Sequence, residues 1–173
     1  MALARGSLVA GSLNNPTESF ERDAAWMRQA LEVAADAGIR GEVPIGAVVV
    51  MNGELLASAG NTREAEADPC GHAEVNAIRA AARTRGHWRL DGATVYVTLE
   101  PCAMCAGAMV LARIDRCVYA ASDPKGGFLG TLGNLADHPG LNHRFAVEAG
   151  VLQTEASNQL RAFFKALRSR DSQ

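Results

Sequence analysis

Apolar residues recur every three or four positions from Phe20 through Ala24, Met27, Leu31 and Ala34. That period predicts an amphipathic helix, with Gly38 as a natural stop. The pattern then changes. After Glu42-Val43-Pro44, the run Ile45 to Met51 is short and β-branched, which predicts a strand. Asn52-Gly53 is the strongest short signal for a hairpin turn, so Leu55 to Ala59 is the expected antiparallel return. Asn61 to Pro69 is polar and reads as a loop. Helical spacing resumes from His72 to Arg83 through Val75, Ile78 and Ala82. Thr94 to Leu99 and Cys117 to Ala121 read as strands on either side of Met104 to Ala112, which is apolar almost all round and is expected to be a buried helix. Ser122 to Gly140 is rich in Gly, Pro and Asp and reads as a long loop with short ordered pieces. Phe145 to Glu148 is a weak strand candidate. Thr154 to Leu167 reads as a helix, with Thr154 as N-cap and Leu160, Phe163, Phe164 and Leu167 on its apolar face. A hairpin followed by alternating helices and strands implies an α/β layered fold with a mixed sheet.

The chain has 173 residues, 48% hydrophobic and 21% charged. That suits one globular domain, expected over residues 20–173. Residues 1–19 read as a flexible extension, because Gly6 and Gly11 interrupt Leu8-Val9-Ala10 and no secretory signal emerges. No apolar run is long enough to span a bilayer. The formal net charge is −2, so any nucleic-acid binding must come from a local basic patch rather than a global field. The four cysteines, Cys70, Cys102, Cys105 and Cys117, point to metal binding rather than disulfides, since a chain of this size needs no staples. The cytoplasm is the expected compartment.

The candidate chemistry lies in His72-Ala73-Glu74 and Pro101-Cys102-Ala103-Met104-Cys105. One imidazole and two thiols make three zinc ligands and leave a fourth position for water. Both groups fall at expected helix starts, where the helix dipole favours thiolates. Cys70 and Cys117 are the candidates for a fourth ligand, which would close the site and make it structural. An open site is preferred because Glu74, two residues past the histidine, then has an immediate use as a proton carrier. The pattern predicts a zinc-activated hydroxide attacking a carbon that bears an amine.

His-x-Glu followed by Pro-Cys-x-x-Cys is the signature of zinc nucleobase deaminases. Around it, Glu42 to Val48, Asp68-Pro69, Thr98 to Met109 and Asn142-His143 resemble the bacterial tRNA adenosine deaminases, over roughly Trp26 to Leu167. The resemblance implies the cytidine-deaminase-like fold, a three-layer α/β/α arrangement around a five-stranded mixed sheet. It also implies a homodimer with one Zn2+ per subunit. The implied reaction converts adenosine to inosine at the wobble position of a tRNA anticodon stem-loop, in an arginine tRNA. Its implied zinc ligands are His72, Cys102 and Cys105, with Glu74 catalytic. Its implied substrate contacts are Asn61 and Ile45 at the base, and Asp123, Lys125, His138 and Phe164 at the anticodon strand. Arg161, Lys165, Arg168 and Arg170 on the last helix could grip phosphates. The chain departs from the family at Cys70-Gly71, where Thr-Ala is usual, and at Pro124, Phe128, Leu129 and Leu167.

Three other readings compete. A guanine or cytosine deaminase acting on free bases or nucleosides would share all the zinc chemistry, but would need neither the 122–142 loop nor the basic last helix. A zinc-stabilised RNA-binding subunit would have no use for Glu74. A redox protein would use Cys102 and Cys105 as a reversible disulfide.

Overall fold

The computed structural model describes residues 16–171. Its elements in chain order are α1 (Pro16–Ile39), β1 (Gly46–Met51), β2 (Glu54–Gly60), α2 (Ala73–Arg85), β3 (Ala93–Leu99), α3 (Ala103–Ala112), β4 (Arg116–Ala121), β5 (Ala146–Ala149) and α4 (Gln153–Asp171). The first helix starts at Pro16 rather than Phe20, with proline in its first turn, where a missing N–H costs nothing. It ends one residue past Gly38. Of the expected extension, residues 1–15 lie outside the described residues.

Five strands form one sheet in the order β2-β1-β3-β4-β5. β1 pairs antiparallel with β2 and β3, while β3–β4 and β4–β5 are parallel. The expected hairpin forms at Asn52-Gly53, where both residues take positive φ (53° and 78°), as a type I′ turn requires.

The sheet is covered on both faces, and strand alternation sorts the side chains between them. Ala47, Val49, Val95, Val97, Cys117 and Tyr119 face one core with α2 and α3. Val48, Val50, Tyr96, Val118 and Ala120 face the other with α1 and α4. In that second layer Asp23 is buried against Arg116 (2.8 and 2.7 Å) and the Tyr96 hydroxyl (2.8 Å). The pair clips α1 to the middle of the sheet.

Two helices differ from their sequence reading. α3 is not buried all round. Cys105, Ala106, Met109, Val110 and Ala112 are buried, but Leu111 is 71% exposed. Met104, Gly107, Ala108 and Leu111 instead line an open apolar groove against Val75, Ile78 and Trp88. α4 begins at Gln153, so Thr154 lies inside the helix and is not its N-cap; Leu152 precedes the helix with φ 56°. Its expected apolar face is only partly covered: Phe164 is 40% and Leu167 38% exposed.

Candidate metal centre and active site

β3 ends at Leu99, and the chain turns through Glu100-Pro101 into α3. Cys102 is the N-cap of α3 and Cys105 sits one turn inside it; His72 is the N-cap of α2. Both N-cap residues have extended backbones and neither caps its helix with its side chain. The three side chains are therefore free to converge, at the positive ends of two helix dipoles. This differs slightly from the sequence reading, which put His72 inside its helix. The site lies at the carboxyl ends of the parallel strands β3 and β4, where open α/β sheets place their ligands.

The geometry tests the metal directly. His72 Nδ1 lies 3.6 Å from Cys102 Sγ and 3.5 Å from Cys105 Sγ, and the two sulfurs are 3.6 Å apart. Zinc bonds of about 2.05 Å to nitrogen and 2.3 Å to sulfur at tetrahedral angles require edges of about 3.6 Å (N–S) and 3.8 Å (S–S). The triangle fits zinc. The three donors form the one group of candidate metal ligands among the described residues. Cys70 is not part of it. Its backbone N–H bonds to Asp68 (2.8 Å), and the residue lines the apolar α2–α3 groove. Cys117 is fully buried on β4, and burial pushes its thiol well above the ordinary range. The fourth position is thus left open by the protein.

Without metal, the two ligand sulfurs contend for a proton. The hydrogen bond with Cys105 draws the Cys102 thiol down to about 3, and the same contact pushes Cys105 far up. A cation stabilises both as thiolates. Glu74 is 4% exposed, and burial holds its carboxyl above the usual range. A carboxyl poised to gain a proton suits acid–base work.

His72, Glu74 and Cys102 open onto a cavity of about 170 Å³, walled by Val43, Ile45, Asn61, Arg63, Leu99, Glu100 and Asp123. Ile45 and Asn61 are thus at the metal pocket, as is Asp123. Asn61 is buried and held by its neighbours. Its backbone N–H bonds to Ile45 O (3.1 Å), and its side-chain amide nitrogen donates to Glu42 (3.2 Å). A carboxylate can only accept, so Glu42 fixes which way the Asn61 amide faces. Lys125 and Phe164 are elsewhere: they line a second cavity of about 610 Å³ with Leu160, Arg161, Lys165 and Arg168. His138 lines neither; its ring accepts the Gly140 N–H (3.1 Å) in an exposed turn. The sequence reading did not single out Glu42 or Glu100 as individual residues. Glu100 directly precedes a proline at the end of an apolar run and Glu42 stands two residues before Pro44 at the start of one, and that was the available signal.

An open three-ligand metal site with a buried carboxylate beside it, on this sheet, defines a zinc-dependent deaminase. The chain belongs to the cytidine and deoxycytidylate deaminase family, whose zinc-binding region matches residues 20–121. Within that family it belongs with the tRNA-specific adenosine deaminases. It is 50% identical to the tRNA-specific adenosine deaminase of Bacillus subtilis over 86% of this chain and 92% of that one. It also resembles a solved structure from work on A-to-I editing by tRNA:A34 deaminases at the wobble position of transfer RNA. There the TM-score is 0.76 and the identity 43%, over 78% of this chain and 98% of that one. The fold extends to a guanine deaminase from Nitrosomonas europaea, with TM-score 0.70 and 23% identity over 81% of this chain and 83% of that one.

Proposed function

We propose that this protein hydrolyses adenosine to inosine at the wobble position of a tRNA anticodon and releases ammonia. The observation that carries the chemistry is the meeting of a buried carboxylate, Glu74, with an open three-ligand site in one small pocket. Zinc, held by His72, Cys102 and Cys105, would supply a water acidified toward neutrality. As the water oxygen bonds to C6, Glu74 takes one of its protons and delivers it to N1 of the base; it then carries the second proton, from the hydroxyl added at C6, to the amine, which leaves as ammonia. Asn61 presents a fixed amide to the base edge, and Ile45 packs against the ring. The pocket admits a base only when it is turned out of its strand, which an anticodon loop permits.

The substrate's size is supported by the second cavity. Lys125, Arg161, Lys165 and Arg168 bring positive charge around Phe164, a pairing of phosphate-binding cations with a ring on which a base can stack. A free-base deaminase needs no such surface. Of the resemblance-based contacts, Asp123 belongs to the base pocket and Lys125 and Phe164 to this outer cavity. His138 then serves only a more distant part of the loop. An arginine tRNA is the proposed substrate, and the cytoplasm its place of action. Among the described residues no helix is long and apolar enough to cross a membrane.

The α2–α3 groove supports a homodimer. It holds about 580 Å³, is lined by Val75, Ile78, Trp88, Met104 and Leu111 among others, and leaves large apolar side chains in water, as a second copy would prevent. The deciding assay compares inosine formation in an anticodon stem-loop bearing a wobble adenosine with ammonia release from guanine and cytosine. Inosine in the RNA is expected. Turnover of the free bases with none of the RNA would overturn the assignment.

A further inference from the structure

Glu100 stands between Leu99, the last residue of β3, and Pro101, two residues before the ligand Cys102. It is 2% exposed, yet the deamination chemistry has no use for it. Its Oε1 accepts the backbone N–H groups of Leu129 (3.1 Å) and Thr131 (3.0 Å), and its Oε2 accepts the N–H of Asp123 (3.1 Å) and the Thr131 hydroxyl. All these donors come from one stretch of irregular chain, Asp123 to Thr131. The stretch closes round the carboxylate so tightly that a Cβ at Gly127 would lie 2.3 Å from it. It is also stitched to the ligand segment: the Phe128 N–H bonds to Pro101 O (2.9 Å), and Gly127 bridges Cys102. The two ends of its outer arc are the proposed RNA contacts. Asp123 walls the base pocket, and Lys125, whose N–H bonds to Asp123 Oδ1 (2.9 Å), walls the α4 cavity.

We infer that Glu100 is a positioning residue for the RNA: its buried carboxylate shapes the Asp123–Thr131 loop so that base pocket and phosphate cavity sit in one fixed relation. The inference rests on RNA being the substrate. Only an acceptor with two oxygens serves all these donors, because an amide offers N–H groups on one side. Glutamine in its place has a definite consequence. The Thr131 hydroxyl can rotate to accept from the new NH2, but the Asp123 N–H cannot, so the Asp123 end is released while Leu129 and Thr131 stay bonded.

The test uses the zinc-loaded full chain and Glu100→Gln. Amide hydrogen exchange without RNA should rise about tenfold at Asp123, the size of one lost charge-assisted hydrogen bond, and stay near wild type at Leu129. Zinc content should be unchanged. The KM for the anticodon stem-loop should rise about tenfold with kcat within about threefold, the mark of lost binding rather than lost chemistry. Unchanged protection at Asp123, or a fall in kcat at constant KM, would overturn the proposal. Thr131→Val, which removes one donor and leaves the carboxylate in place, should raise KM in the same direction by a smaller factor. If Glu100→Gln fails to hold zinc, that variant decides, and an unaltered KM there counts against the anchor. A wild-type chain that deaminates no RNA would refute the substrate reading and the positioning role with it, whereas the exchange pattern alone reads the loop anchor.

Discussion

Replacing Glu42 by glutamine tests whether the Asn61 amide in the metal pocket is held in place by a buried carboxylate. Glu42 is 1% exposed. Its Oε2 accepts from the Asn61 amide (3.2 Å) and the Glu64 N–H (3.2 Å), and its Oε1 from the Ala65 N–H (2.8 Å). Glutamine can accept on one atom only. Turned to keep Asn61 and Glu64, it sets its NH2 against the Ala65 N–H; turned the other way, it faces both remaining donors with an NH2. Either way at least one N–H loses its carboxylate acceptor in a part-buried bond, at about 1–3 kcal/mol, and the surviving bonds lose the assistance of charge, which roughly doubles such bonds. The total is about 2–3 kcal/mol of stability, or a fall in Tm of about 4–12 °C for a chain of this size. The share that falls on Asn61 is about 1–1.5 kcal/mol, roughly a tenfold loss in kcat/KM.

Melting, zinc analysis and kinetics on the anticodon stem-loop measure the three parts separately. Zinc should stay at one per chain, because no ligand touches Glu42. The sharper version places the same change in an Asn61→Ala background. There the activity loss should vanish while the melting loss persists, since residues that act through one contact are not additive. An equal fold-loss of kcat/KM in both backgrounds would refute the idea that Glu42 acts through the Asn61 amide.

Glu74→Ala should keep one zinc per chain and lose about 10²- to 10⁴-fold in kcat, the usual share of a positioned proton carrier; metal analysis beside single-turnover kinetics reads both, and near-normal turnover would sink the mechanism. Cys70→Ser should leave the zinc content unaltered, because Cys70 lies in the α2–α3 groove, and loss of metal would make it a ligand after all. Asp23→Asn should cost about 3 kcal/mol in urea unfolding: the amide oxygen can keep the Tyr96 hydroxyl and one Arg116 N–H, but the new NH2 faces the other Arg116 N–H and the guanidinium loses its buried counter-charge. Burial raises the Asp23 carboxyl, but its bonds to Arg116 and Tyr96 outweigh that and hold it below its ordinary 3.8. The carboxylate's contribution is therefore complete above that value and fades as pH falls through the lower folded value, so the gap between the two proteins should be flat from about pH 5 to 8 and narrow below about pH 4.

What could be read in the sequence was local. The hairpin followed from Asn52-Gly53, because a type I′ turn has few residue solutions. The metal ligands followed from Cys-x-x-Cys and His-x-Glu, because one helical turn fixes Cys105 beside Cys102. The misreadings share a cause. Met104 to Ala112 carries apolar residues on every side, and periodicity cannot tell a helix buried in its own core from one whose outer face waits for another surface. Thr154 looks like an N-cap, yet the positive φ at Leu152 starts α4 one residue earlier. Ser122 to Gly140 reads as a long loop with short ordered pieces and is one, but what shapes its Asp123–Thr131 part is Glu100, more than twenty residues away in sequence, and no local pattern encodes a tertiary acceptor.

Of the four buried carboxyl groups among the described residues, three serve the metal pocket, and their partners say how. Glu74 meets the metal ligands, and burial holds its carboxyl above the usual range, as the proposed proton carrier requires. Glu42 and Glu100 each collect backbone N–H groups from a loop, which ties them to structure. One holds the Asn61 side of the pocket and the other the Asp123 side, so two walls of the cavity are loops pinned by carboxylates. The zinc chemistry can thus remain constant while the walls change. The sheet and helix starts deliver the metal ligands, and the shape of the pocket walls is left to segments that a single acidic residue can hold.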